Sequence, residues 1–237
     1  TTCVQLVHDA LARADAAKDL NAFVEVFPES ALAKAKQVDA SLASGTAGSL
    51  AGMVMAIKDN LSYAGHAMSA SSKILNNYTS PYTATAVQRL LDADAIILGR
   101  TGCDEFAMGS SNETSFHGAV KNPVDPTKTP GGSSGGSASA VGASVVQAAL
   151  GTDTGGSIRQ PAAFCGVYGS KPTYGRVSRY GAVAYASSFD QIGFFTNEIK
   201  DTELLLQITA GLDAYDATSS SKPYDIRTNF SEKLLIF

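Results

Sequence analysis

Between Cys3 and Lys18 the apolar residues Val4, Leu6, Val7, Ala10, Leu11 and Ala14 return every three or four positions, which predicts an amphipathic helix over residues 3–18. The run Ala22-Phe23-Val24-Glu25-Val26-Phe27 is short and rich in β-branched and aromatic residues, the composition of a strand. From Glu29 to Ser44 the chain is alanine-rich with interspersed lysines, a second helix expected to stop near Gly45. Gly52 to Ile57 carries no charge at all. Such an unbroken apolar run marks a strand covered on both faces, and it ends on a lysine, Lys58.

Thr83 to Asp94 (TATAVQRLLDAD) predicts a helix that feeds directly into an apolar strand, Ala95 to Leu98. A helix-to-strand step this short is typical of a three-layer α/β domain. Ser137 to Val146 suits a helix of small residues packed close to a neighbour, and Gln147 to Thr152 returns as a strand. Ser157 to Phe164 can begin a helix, which Pro161 limits to a first turn. Asp201 to Gly211 (DTELLLQITAG) offers an N-cap, a leucine face and a terminal glycine. The chain closes on the apolar segment Lys233 to Phe237, read as a buried strand, so it looks cut within a core element. It opens on Thr1 instead of methionine, which points to processing or trimming.

At 237 residues, 44% hydrophobic and 17% charged, the chain has the makings of a sizeable core. A net charge of −4 argues against binding of nucleic acid by this chain alone through a basic face, while contact through a partner stays open. Cys3, Cys103 and Cys165 are odd in number and far apart, as expected of buried thiols in a reducing compartment. No apolar run approaches the 18 residues of a membrane span. The three histidines, His8, His66 and His117, lack metal-site spacing, and no metal is expected.

The candidate chemistry lies in two glycine–serine clusters, Gly131-Gly132-Ser133-Ser134-Gly135-Gly136 and Thr152-Asp153-Thr154-Gly155-Gly156-Ser157. Paired glycines let backbone approach a ligand and adopt positive φ. A serine after such a pair, at a helix start, sits among free N–H groups that can hold a developing oxyanion. A plain N-cap is the competing reading of Ser157, and a Gly/Ser linker that of residues 122–139. Gly131-x-Ser133-x-Gly135 also fits a nucleophile elbow, but a proline-rich loop precedes it and no histidine follows it. A phosphate loop fails for want of Lys-Ser or Lys-Thr after the glycines. Lys58 is the remaining base candidate, against the solvated surface charge that a lysine usually is: where a buried strand ends, desolvation lowers a lysine pKa, and a neutral amine can activate a serine.

The stretch from Gly131 to Thr173 resembles the defining segment of the amidase signature enzymes, and Lys58 in AIKDN resembles their catalytic lysine. The resemblance implies an α/β fold with a mixed, twisted central sheet and helices on both faces. Residues 1–237 would form one domain, of which the family's C-terminal half, with the arginine and aspartate that grip glutamine, lies beyond residue 237. It implies Ser157 as acyl-forming nucleophile, Ser133 as bridging serine after a cis peptide bond, and Lys58 as base. The N–H groups of Thr154, Gly155, Gly156 and Ser157 would line the oxyanion hole, with Gly109 and Ser110 lining the substrate site. Gly102 departs from the family, which usually has a polar residue there, most often asparagine.

Within the family, Cys103 to Ser115, Lys171 to Gly181 and Ser187 to Gly193 are most like the glutaminase (A) subunits of tRNA-dependent amidotransferases. That implies glutamine as substrate and ammonia as product. It implies a B subunit that uses ATP and Mg to amidate misacylated tRNA, and a C subunit that clamps the two. On this resemblance the chain itself needs no cofactor, meets tRNA only through the B subunit, touches no membrane, and works in the cytoplasm or a eukaryotic organelle. A free-standing amidase for another carboxamide and a non-catalytic scaffold are the alternatives.

Overall fold

The computed structural model describes residues 1–223, so the apolar segment Lys233 to Phe237 lies outside the described residues. Helix α1 (Cys3–Ala16) starts where the Thr2 hydroxyl accepts the Gln5 N–H, and buries Cys3, Val7 and Ala10, the stripe expected from their spacing. After strand β1 (Phe23–Val26), helix α2 (Pro28–Ser44) begins on a proline and ends at Gly45, which takes φ +73°. Strand β2 (Val54–Lys58) is buried at every position, Lys58 included. Helix α3 (Thr85–Asp92) leads through a short turn into strand β3 (Ile96–Thr101).

Helix α4 (Gly135–Gly142), strand β4 (Ala148–Asp153), helix α5 (Arg159–Cys165), strands β5 (Tyr168–Ser170) and β6 (Gln191–Thr196) and helix α6 (Ile199–Thr209) complete the order. The six strands form one sheet, β1-β3-β2-β4-β6-β5. Its centre, β3-β2-β4, is parallel, while β1, β6 and β5 pair antiparallel. This is the mixed sheet between helices that the resemblance implied.

Side chains alternate across the sheet with period two. Val54, Ala56, Ile96, Leu98 and Ala149 pack with α1, α2, α4 and α5. Met55, Ile57, Ile97, Ala148 and Leu150 pack with α3 and α6. Counting on from Val54 and Ala56, the next side chain on the α4 face is Lys58. An apolar strand thereby delivers a lysine into the layer where a helix of small residues approaches.

The closeness of α4 has a steric basis. A Cβ on Gly136 would come within 2.5 Å of the Gly102 backbone and 2.7 Å of the Ala22 carbonyl oxygen. Glycine at this point lets the helix start earlier than the expected Ser137, and it ends earlier than Val146 because Ser144 turns left-handed at φ +56°. Helix α5 runs past the single turn expected of it: Pro161 is its third residue, where no N–H is required of it. Helix α6 starts at Ile199, so Asp201 is a first-turn acid instead of the N-cap. The hydrophobic pattern does not predict strands β5 and β6. Gly169 and Gly193 weaken the pattern in each; β6 is defined by pairing with β4 on one side and β5 on the other, and β5 by pairing with β6.

Candidate active site

The carboxyl ends of the three parallel strands face one region: Lys58 ends β2, Thr101 ends β3 and Asp153 ends β4. Lys58 Nζ lies 2.7 Å from Ser133 Oγ, 3.0 Å from Ser134 Oγ and 2.9 Å from Thr152 Oγ1. Burial pushes its pKa down to about 8, against the upward pull of the Asp104, Asp153 and Asp190 carboxylates. The amine is therefore a base that can be neutral close to physiological pH.

The hydrogen bonds set the Ser134 hydroxyl apart from those of Ser133 and Thr152. The Ser134 hydroxyl donates to the Thr152 carbonyl oxygen at 3.0 Å, so toward Lys58 it can only accept. Thr152 Oγ1 also accepts from Asn60 Nδ2 at 3.1 Å. Among the described residues Ser133 Oγ has no hydrogen-bond partner other than Lys58, and its proton is free to move to the amine. Ser133 is fully buried and follows a cis peptide bond from Gly132, as the resemblance implied. Its carbonyl oxygen accepts the Asp104 N–H at 3.2 Å.

Ser157 lies on the adjoining turn before α5. Its carbonyl oxygen accepts the Ser134 N–H at 3.2 Å, which holds the two serine segments together. Its hydroxyl makes no hydrogen bond among the described residues and is half-buried. Ser157 lines a pocket of about 370 Å³ with Gly109, Ser110, Gly132, Gly155, Gly156, Gln160 and Tyr185. Gly109 and Ser110, expected beside substrate, are thus on the wall of the Ser157 pocket. The side-chain positions of Gly155 and Gly156 open onto space clear of any atom within 4 Å, and Gly156 takes φ +128°, a conformation that L side chains rarely adopt.

Asp153 organises this turn. Its carboxylate accepts the N–H groups of Gly156, Ile158 and Arg159 and two guanidinium N–H bonds from Arg159. Burial pushes the carboxyl up, but the Arg159 guanidinium and the backbone donors outweigh it and hold it below its ordinary value. The same bonds narrow the expected oxyanion donors. The Gly156 N–H is turned to Asp153 at 2.8 Å, whereas those of Thr154, Gly155 and Ser157 have no partner among the described residues. The Thr154 hydroxyl bonds to Asp190.

Nothing in the sequence marks Ser134, Thr152, Asp153 or Gln160 as functional side chains. The first three lie inside the glycine–serine clusters, so their positions are in view while their partners are not. Gly102 leaves a trace of its departure: Asn112 Oδ1, buried and without a partner among the described residues, is 3.9 Å from where a side chain on residue 102 would begin. A second cavity of about 200 Å³ adjoins the site at Thr152, lined by Arg179, Tyr180, Asp190 and Gln191, and Tyr185 borders both.

A buried amine among hydroxyls, beside a serine in a glycine-walled pocket, calls for comparison with enzymes of acyl transfer. The family model for amidases matches residues 5–235, and the chain belongs to that family. It is 57% identical over 222 residues to the A subunit of glutamyl-tRNA(Gln) amidotransferase from Chlorobium limicola, covering 93% of this chain and 47% of that protein. The corresponding A subunit from Ralstonia nicotianae is 56% identical over 218 residues, covering 92% of this chain and 44% of that protein. Among solved structures, the A subunit from Thermotoga maritima superposes with a TM-score of 0.83 at 42% identity, covering 93% of this chain and 46% of that one. The peptide amidase of Stenotrophomonas maltophilia gives 0.89 at 36% identity, covering 94% and 47%. The chain spans about half the length of the curated relatives it matches.

Proposed function

We propose that this chain carries the acyl-transfer centre of a glutaminase that supplies ammonia to a tRNA-dependent amidotransferase. The observation that carries the proposal is the Lys58–Ser133 contact in a fully buried site beside the Ser157 pocket. Neutral Lys58 accepts the Ser133 proton, Ser133 accepts that of Ser157, and Ser157 Oγ bonds to the carboxamide carbon. The N–H groups of Thr154, Gly155 and Ser157 hold the oxyanion, each worth roughly 3–4 kcal/mol. Lys58 returns its proton through Ser133 to the leaving nitrogen, ammonia departs, and water hydrolyses the ester on Ser157. Gly109 and Ser110 face the substrate.

In this reading glutamine is the substrate and B and C subunits are partners, the B subunit handling ATP, Mg and misacylated tRNA in the cytoplasm or an organelle. The names of the relatives above 50% identity support it. No helix among the described residues is long and apolar enough to cross a membrane. A free-standing amidase is the second reading, supported by the closer superposition on the peptide amidase. The test is glutamine hydrolysis with and without B subunit, C subunit, misacylated tRNA and ATP. Stimulation by the partners is expected; an unchanged rate, with faster hydrolysis of other carboxamides, overturns the amidotransferase assignment.

A further inference from the structure

Gln160, on the first turn of α5, makes contacts that the acyl-transfer scheme does not use. Its Oε1 accepts the Gly132 N–H at 3.0 Å, and its Nε2 donates to the Ser110 carbonyl oxygen at 3.0 Å. Its own backbone N–H donates to the Gly156 carbonyl oxygen at 2.9 Å. One half-buried residue therefore joins three walls of the Ser157 pocket: the segment that leads into Ser133, the Gly109–Ser110 loop, and the helix that follows the nucleophile. Both ends of the amide are used, one as acceptor and one as donor, and only an uncharged planar group with both functions satisfies the pair.

We propose that Gln160 is a positioning residue that sets the approach of Ser157 to Ser133 and the width of the substrate pocket. The inference rests on the serine–lysine reading above. Gly132 is the residue before Ser133, and a Cβ on Gly131 would already meet Gln160 Oε1 at 3.0 Å, so the carboxamide packs directly against this segment. Without that tether the Ser133 segment is still held by Lys58 and Asp104, but its distance from α5 is no longer fixed on the pocket side. A displacement of about 1 Å between reacting groups costs up to a hundredfold in rate. Gln160→Leu removes both bonds. Gln160→Glu keeps the acceptor for Gly132 but, when ionised, sets a carboxylate oxygen against the Ser110 carbonyl oxygen. When protonated it can donate there again.

The experiment measures the rate at which an alkyl fluorophosphonate labels Ser157 in the chain, read by peptide mass. Gln160→Leu and Gln160→Glu are each compared with the unaltered protein between pH 5 and 8, alongside thermal melting. Labelling is expected to slow about ten- to a hundredfold in Gln160→Leu. In Gln160→Glu the rate relative to the unaltered chain is expected to recover as pH falls and the carboxyl protonates, a dependence that loss of packing does not produce. If the unaltered chain is not labelled at Ser157, the serine reading and this inference both fall. If it is labelled, and both variants match it at every pH, the inference alone falls. Should Gln160→Leu not fold, the pH dependence of Gln160→Glu decides.

Discussion

Lys58 Nζ stands 2.7 Å from Ser133 Oγ, at the end of a strand whose five residues are all buried. Burial supplies the base, by disfavouring the ammonium. The hydroxyls supply its solubility in the interior, because the three bonds to Ser133, Ser134 and Thr152 match the three protons of the charged form.

Acylation should depend on pH through Lys58. Only the neutral amine accepts a proton, and its pKa is about 8. The rate of Ser157 acylation should rise about tenfold per pH unit below that value and level off above it. The lysine's folded pKa is depressed, so between about 8 and its unfolded 10.5 the unfolded chain binds more protons, and stability rises with pH across that window. Rate profiles of serine labelling check the first statement, and denaturant melts of the Lys58→Met variant against the unaltered chain check the second.

Ser157→Ala should abolish amide hydrolysis and leave the fold intact, since the hydroxyl bonds to nothing among the described residues. Loss of a nucleophile in a serine hydrolase costs on the order of a million-fold in turnover. Steady-state assay and circular dichroism test the two halves, and a residual activity above about a hundredth shows that Ser157 is not the nucleophile.

Lys58 and Ser133 should behave as one unit. Lys58→Ala and Ser133→Ala are each expected to cripple acylation, with the double variant little worse than either. Lys58→Arg should not rescue, because a guanidinium stays protonated. A double-mutant cycle on single-turnover rates gives the answer, and additive losses contradict the relay.

Asp153→Asn should destabilise by about 1–3 kcal/mol, because three backbone N–H groups and the guanidinium lose a charged acceptor. The pairing holds the carboxyl below its unfolded 3.8, so its contribution is complete at neutral pH and is lost as pH falls through the folded value. Chemical melts at pH 7 and pH 3 should show the difference between variant and unaltered chain shrinking in acid.

Gly136→Ala is expected to cost about 1–3 kcal/mol and to slow Ser157 labelling as well, since its Cβ meets backbone atoms, which cannot turn aside. A melt and a labelling rate on the same sample check both effects.

The core strands and the catalytic candidates are legible in the sequence because each carries a local signal. The charge-free run before Lys58 announces a strand buried on both faces, and glycine pairs announce Ser133 and Ser157. Strand β6 escapes because Gly193 interrupts its run and its partners are 38 or more residues earlier in β4 and some two dozen earlier in β5. The Gly156 N–H escapes for another reason. Whether a backbone donor faces a substrate or a carboxylate is decided by the side chain of Asp153, and spacing says nothing about its rotamer. Gln160 carries no local sign, since a glutamine on a helix is ordinarily solvated.

The order β1-β3-β2-β4-β6-β5 also governs when the site comes into being during folding. Parallel neighbours cannot be joined by a hairpin, so the centre of the sheet forms only through long crossovers. Lys58 meets Ser133 across 75 residues of chain and Thr152 across 94. Contacts so distant in sequence are the slow ones, while α1 and α2 can form from neighbours alone. With Ser157 as the proposed nucleophile, its labelling becomes a clock for the last stage of assembly: pulses of labelling reagent during refolding should find Ser157 inert long after helical signal has returned.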